Sequence, residues 1–128
     1  MEIDNPAALA ELRAVFEAYE RAFVANDIDA LDRFFLHAPT TIRYGVADMQ
    51  QGMDELRAYR RTVLPTGIER DLRDTVITTY GTELGVASTQ FFREQHPGKT
   101  GRQMQTWIRV ADGWRIVAAH VSLIDDPA

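Results

Sequence analysis

The sequence predicts an α+β domain, with helices first and an antiparallel sheet after them. Three observations carry that reading. Apolar residues in the first third recur at steps of three and four. Four long stretches in the second half are rich in β-branched and aromatic residues. The connections between those stretches are so short that successive strands must run antiparallel. A length of 128 residues suits one such domain over the whole chain, and it can bury a core without disulfides.

Asn5-Pro6 opens the first helix, with asparagine as cap and proline in the first turn. Leu9, Leu12, Phe16, Tyr19 and Phe23 then form one apolar stripe, while Glu11, Arg13, Glu17, Glu20 and Arg21 take the opposite face. This helix is expected to end near Asn26. Asp27 or Asp29 caps a second, short helix whose last residues are Leu31, Phe34, Phe35 and Leu36. His37-Ala38-Pro39 breaks it. Residues 40–44 read as a strand that Gly45 stops. Residues 53–63 read as a helix with Leu56, Tyr59 and Val63 on one side and Arg57, Arg60 and Arg61 elsewhere, ended by Pro65 and Gly67. Strands are expected over 70–80, 84–93, 102–110 and 114–124. Asp112-Gly113 ahead of the last of them is a hairpin signal. A sheet of such strands twists and curls. With the first helix across its concave side, it leaves a cone open at one end, a pocket for a small ligand.

Composition narrows the chemistry. Hydrophobic residues are 45% and charged residues 26%, as in soluble globular proteins. The formal net charge of −5 argues against nucleic acid and against an anionic membrane surface as partners. No apolar run is long enough to span a membrane. The start Met1-Glu2-Ile3-Asp4 lacks the regions of a signal peptide, so a cytoplasmic location is expected. Cysteine is absent, which excludes disulfides, thiolate zinc sites and cysteine nucleophiles. His37, His96 and His120 lack metal-ligand spacing. Ser88 and Ser122 lack the Gly-x-Ser-x-Gly elbow, and there is no Gly-rich phosphate loop. Neither a metal nor a nucleotide cofactor is expected. Lys99 is the one lysine beside 13 arginines and sits in a Pro-Gly turn, which argues against a buried Schiff-base lysine.

Several residues stand out as candidates. Arg43 alternates with Ile42 and Tyr44, so it faces away from both. It is either a solvated or structural ion-pair residue or a fork that grips a carboxylate. Tyr19 lies on the apolar stripe, where it either fills the core or offers a hydroxyl to the cavity. His120 and Ser122 are expected to share a face with Trp114, Ile116 and Ala118 and to form part of a pocket wall. Gln103 and Gln105 share a face with Trp107 and Arg109, either to bind a planar polar ligand or to line a dimer interface. Arg70 and Arg73 read as surface residues or as flanks of the cone mouth. No Asp or Glu falls well inside a predicted strand; Glu69, Asp71, Asp74 and Glu94 lie near strand ends.

The order of elements, with the ending Gly113-Trp114-Arg115-Ile116-Val117-Ala118-Ala119-His120-Val121-Ser122, resembles the nuclear-transport-factor-2-like cone. That superfamily includes SnoaL-type cyclases and ketosteroid isomerases, so it implies the fold and leaves the reaction open. A narrower resemblance rests on Tyr19, on Thr41-Ile42-Arg43-Tyr44-Gly45, on Gly101-Arg102-Gln103-Met104-Gln105-Thr106-Trp107 and on the same ending. Together these are similar to the AtzH-like family, with Met104 in place of a serine. The resemblance implies a small cytoplasmic homodimer, functionally linked to an amidase, that hydrolyses and decarboxylates a carboxylated urea such as 1,3-dicarboxyurea without a cofactor. It implies catalytic roles for Tyr19 and Arg43 on a small anionic substrate. The alternatives are a non-catalytic anion-binding accessory protein and a proton-transfer enzyme of ketosteroid-isomerase type.

Overall fold

Asn5 begins the order of the chain. In a computed structural model, which describes residues 1–63 and 68–126, its side-chain oxygen accepts from the Ala8 N–H at 3.1 Å and caps α1, Pro6–Val24. Ala8, Leu12, Phe16 and Tyr19 are the buried stripe of that helix. The chain leaves α1 through Asn26 in the left-handed region at φ 51°, a conformation asparagine tolerates. Asp27 then caps α2, Ile28–Arg33, by accepting from the Ala30 N–H at 3.1 Å.

Residues 34–36, expected as the end of α2, instead pair with the sheet. The Ile116 N–H donates to Phe34 O at 2.8 Å and the Leu36 N–H to Ile116 O at 2.9 Å, so the backbone groups freed at the helix end find partners there. Strand β1, Ile42–Tyr44, begins two residues later than expected, because Thr41 is held in the preceding turn by its hydroxyl bond to Leu36 O at 2.7 Å. A short strand the sequence reading missed, β2, Met49–Gln51, folds back on β1. Helix α3 spans Met53–Arg60, stopping short of Val63; the expected stop at Pro65 and Gly67 lies outside the described residues.

The remaining strands are β3, Asp71–Tyr80; β4, Leu84–Phe92; β5, Lys99–Val110; β6, Gly113–Asp125. All lie within a residue of the sequence reading except β5, which begins three residues early at Lys99, inside the expected turn, because Lys99 to Gly101 pair with Asp125 to Leu123 of β6. The six strands form one curved sheet in the order β2-β1-β6-β5-β4-β3. Pairing is antiparallel except between β1 and β6, which run parallel. The four tightly connected strands are antiparallel as expected, and β1 joins them parallel to β6. Tight turns dictate direction only for β3 to β6; β1 meets β6 across most of the chain, where no turn constrains it.

Helix α1 lies across the inner face. Its Leu12 seats on Gly85, where a Cβ would collide with the leucine methyl. Leu12, Phe16 and Tyr19 join Ile77, Ala87, Trp107, Trp114 and Ile116 in one core. Among the described residues no helix is long and apolar enough to cross a membrane.

A register shift in β6 decides which of its residues face that core. Thr106 pairs with Ala118 but Trp107 pairs with Ile116, so Val117 is an extra residue on β6. A bulge of this kind inverts the alternation. Trp114 and Ile116 point inward before it; Ala119, Val121 and Leu123 point inward after it, opposite Gln105, Gln103 and Gly101. His120 and Ser122 therefore point outward, opposite Met104 and Arg102.

Candidate functional site

A cavity of about 240 Å³ opens between α1 and the far half of the sheet. Gln103 and Gln105 of β5 and Ala119, Val121 and Leu123 of β6 make one wall. Tyr19 and Phe23 of α1 face them. Arg43 and Asp48 come from the β1–β2 hairpin, and Tyr59 and Arg60 from α3. Arg70, Phe91, Arg93 and His96 complete the other end. The volume lies below the range of pockets for drug-sized ligands, which suits a small metabolite.

Arg43 enters this cavity because its strand neighbours take the other face. Its Nη1 donates to Asp48 Oδ2 at 2.7 Å and to Gln50 Oε1 at 3.1 Å. Gln50 Nε2 donates to the same Asp48 oxygen at 2.8 Å. The guanidinium carbon lies 5.6 Å from the Tyr59 ring centre. Burial pushes the Asp48 carboxyl up, but the Gln50 bond, the Arg43 charge and a hydrogen bond from Tyr59 together outweigh it and hold it below its ordinary value. Burial, and then donation to Asp48, raise the Tyr59 phenol. A Cβ at Gly45 would meet the Asp48 carboxylate and displace it from Arg43.

Tyr19 packs edge-on against Phe34 and Trp107, with ring centres 5.7 and 6.3 Å away. These contacts fix the ring while the residue lines the cavity. Burial pushes the Arg60 guanidinium below the usual arginine range, and its nearness to Tyr19 and Asp32 works against that. Its Nε is 3.0 Å from Asp32 Oδ1, and its guanidinium covers the Phe35 ring at 4.9 Å.

Arg70 is no surface residue. Its side chain is 2% exposed, clamped by Glu20 through two bonds of 2.9 and 2.6 Å and sandwiched between the Phe23 and Phe91 rings. Its Nη2 also donates to Gln103 Oε1 at 3.1 Å. Arg73 lies over Phe92 instead. Gln105 Oε1 accepts from the Trp107 indole at 3.1 Å. Both glutamine oxygens are thus engaged, and each amide has its NH₂ left to offer.

Of the residues singled out from sequence, Tyr19, Arg43, Gln103 and Gln105 share one cavity. His120 and Ser122 do not line it. Grouping them with Trp114 and Ile116 is corrected by the bulge: His120 lies against the Tyr44 ring at 5.9 Å on the outer face, and Ser122 accepts from Arg102 Nε at 3.2 Å. Asp48, Tyr59 and Arg60 were missed. Met53, Leu56 and Arg60 follow at steps of three and four, so Arg60 occupies the next place on the buried stripe of α3; that spacing was the available signal. Asp48 had none, because its position depends on the unforeseen β2. Among the described residues no three His, Asp or Glu side chains gather to hold a metal ion.

The cavity is rich in hydrogen-bond donors and is lined by one carboxylate, Asp48, and it can orient a small planar anion between Arg43 and Tyr19. A search of curated proteins finds no match. Among solved structures, the chain is similar to a cystatin-like fold protein from Burkholderia xenovorans LB400, at 49% identity and a TM-score of 0.95 over 99% of both chains. It is similar to a protein of unknown function from Pectobacterium atrosepticum SCRI1043, at 47% identity and a TM-score of 0.93 over 96% of this chain and 95% of that one. A nuclear transport factor 2-like superfamily protein from Salmonella enterica shares the fold, at 23% identity and a TM-score of 0.72 over 95% and 94% of the two chains. The AtzH-like family model matches residues 1–127. With its helices on a curved sheet, the chain therefore belongs to the AtzH-like family.

Proposed function

We propose that the protein hydrolyses a small carboxylated urea, with 1,3-dicarboxyurea as the model compound, and releases carbon dioxide without a cofactor. The observation that carries this reading is the convergence of Arg43 and Tyr19 on one small cavity lined by donors, in a chain of the AtzH-like family. Arg43 holds a substrate carboxylate. As the bond between nitrogen and the carboxylate carbon breaks, the carbon leaves as carbon dioxide, the electron pair stays on nitrogen, and the nitrogen takes a proton from Tyr19, which recovers one from solvent. Hydration of the carbon dioxide to bicarbonate makes the net change a hydrolysis of the N–C bond. Positioned proton transfer of this kind contributes roughly 10²–10⁴-fold. The test is release of carbon dioxide from 1,3-dicarboxyurea by the purified protein. Saturable binding with no turnover on any carboxyurea would replace this reading with the non-catalytic accessory protein.

One observation favours a second reading. Asp48 is a carboxylate inside the cone, paired with Arg43 but only partly buried, and proton-transfer chemistry needs such a base. Exchange of the α-protons of small keto acids into D₂O, lost in Asp48→Asn, is the outcome that would favour it.

The assembly belongs to the proposal as well. On the outer face Val76, Ser88, Met104, His120, Tyr44 and Met49 lie in register across all six strands. Val76 is 57% exposed, Met104 56% and Tyr44 48%. A row with four exposed large apolar side chains, Val76, Met104, Tyr44 and Met49, suits a homodimer through the sheet. A functional link to an amidase and a cytoplasmic location complete the reading; an amidase gene adjacent to this one would support the link.

A further inference from the structure

Gln103 is 3% exposed, and chemistry fixes the orientation of its amide. Arg70 can only donate, so the atom it meets at 3.1 Å is the oxygen, and Nε2 is left with no hydrogen-bond partner in the protein. Arg60 repeats the pattern: its Nε lies against Asp32, while its Nη2 is buried and has no hydrogen-bond partner. Both side chains line the cavity that holds Arg43. Asp32 is shared by Arg60 at 3.0 Å and Arg61 at 3.1 Å, and Arg61 also meets Asp29 at 3.4 Å, so Asp32 engages only the Nε side of Arg60. Arg43 has a carboxylate of its own in Asp48 and takes no part in this second group. Two buried donors without partners, one of them on a guanidinium, call for an acceptor, and a carboxylate is the acceptor that a charged donor binds most strongly.

We propose that Arg60 Nη2 and Gln103 Nε2 form a second carboxylate seat, separate from Arg43, so that the cavity selects small dianions gripped at both ends over monoanions. The inference deepens the reading of this site given above and rests on the same cavity, but it requires no turnover. Gln103 and Arg60 then act as specificity residues, with Arg70 holding the Gln103 amide in its donor orientation.

The experiment is calorimetric titration with malonate and with acetate at neutral pH and low salt. Wild type is expected to bind malonate at least about tenfold more tightly than acetate. Gln103→Met keeps the length of the side chain and removes the donor, and Arg70 keeps both bonds to Glu20. Gln103→Glu keeps the acceptor for Arg70 and replaces the donor by an anionic oxygen. Both are expected to remove the malonate preference while acetate affinity stays within about twofold, since acetate still binds at Arg43. Arg60→Lys retains a cation for Asp32 and loses Nη2, and it should do the same; should the Gln103 variants fail to fold by circular dichroism, it decides alone. An unchanged malonate preference, or a parallel loss of both ligands, overturns the second seat. Malonate preference with no carboxyurea turnover would sink the hydrolase reading and leave the seat intact. Turnover without malonate preference would do the reverse.

Discussion

Arg43 and Gln50 face each other across the β1–β2 pair, and both donate to the same oxygen of Asp48. That three-way contact sets where the Arg43 guanidinium sits. It also makes the hairpin sensitive to acid. The Asp48 carboxyl is held below its ordinary value of 3.8 in the folded protein. Its contribution to stability is therefore complete above that value and is lost as pH falls through the lower, folded one.

Asp48→Asn is accordingly expected to lower stability at pH 6 by roughly 1.5–3 kcal/mol, the range for hydrogen bonds to a charged group. The gap to wild type should close as pH falls below the ordinary carboxyl value. Thermal melts of the two proteins between pH 6 and pH 3 check this; a gap that stays constant over the range would contradict it.

Arg43→Lys keeps the charge and loses the planar fork. A lysine ammonium cannot hold Asp48, Gln50 and a ligand carboxylate in one plane. Acetate binding should weaken by about tenfold, roughly 1.4 kcal/mol. Titration calorimetry measures it, and unchanged affinity would remove Arg43 from the anion site.

The fold was legible in the sequence wherever short-range physics decides it. Asn5 and Asp27 cap as asparagine and aspartate do, and the spacing of Leu12, Phe16 and Tyr19 marks a buried face. The tight turns of the second half leave only antiparallel pairing. What was not legible depends on contacts far apart in the chain. The parallel pairing of β1 with β6 has no local signal. Nor does Val117, whose insertion turns His120 and Ser122 away from the cavity. Asp48 reaches the site only because β2 returns beside β1. Arg70 looked exposed because it opens a strand, yet Glu20, 50 residues earlier, and two aromatic rings enclose it.

Tyr19→Phe separates structure from chemistry. The ring keeps its edge contacts with Phe34 and Trp107, so melting temperature and acetate affinity should stay near wild type. Carbon dioxide release from 1,3-dicarboxyurea should fall by roughly 10²-fold or more, mostly in kcat, if the phenol gives up its proton in the transition state. Unchanged turnover would take Tyr19 out of the mechanism.

The outer face gives the last prediction. Met104 sits at the centre of the exposed row, between Ser88 on one side and His120 on the other. In a sheet-to-sheet homodimer it would be buried against the partner, and the interface would cover at least about 1,200 Å² in total. Met104→Arg places a charge there that burial would strip of water, and two copies related by symmetry would bring like charges close together. The variant should sediment as a monomer at micromolar concentration where wild type sediments as a dimer. Because Met104 points away from the cavity, malonate binding by the monomer should match that of wild type. His120→Ala, on the same face, is likewise expected to leave ligand binding unchanged. A wild type that is monomeric throughout would end the sheet-face proposal, and a Met104→Arg dimer of unaltered stability would move the interface elsewhere.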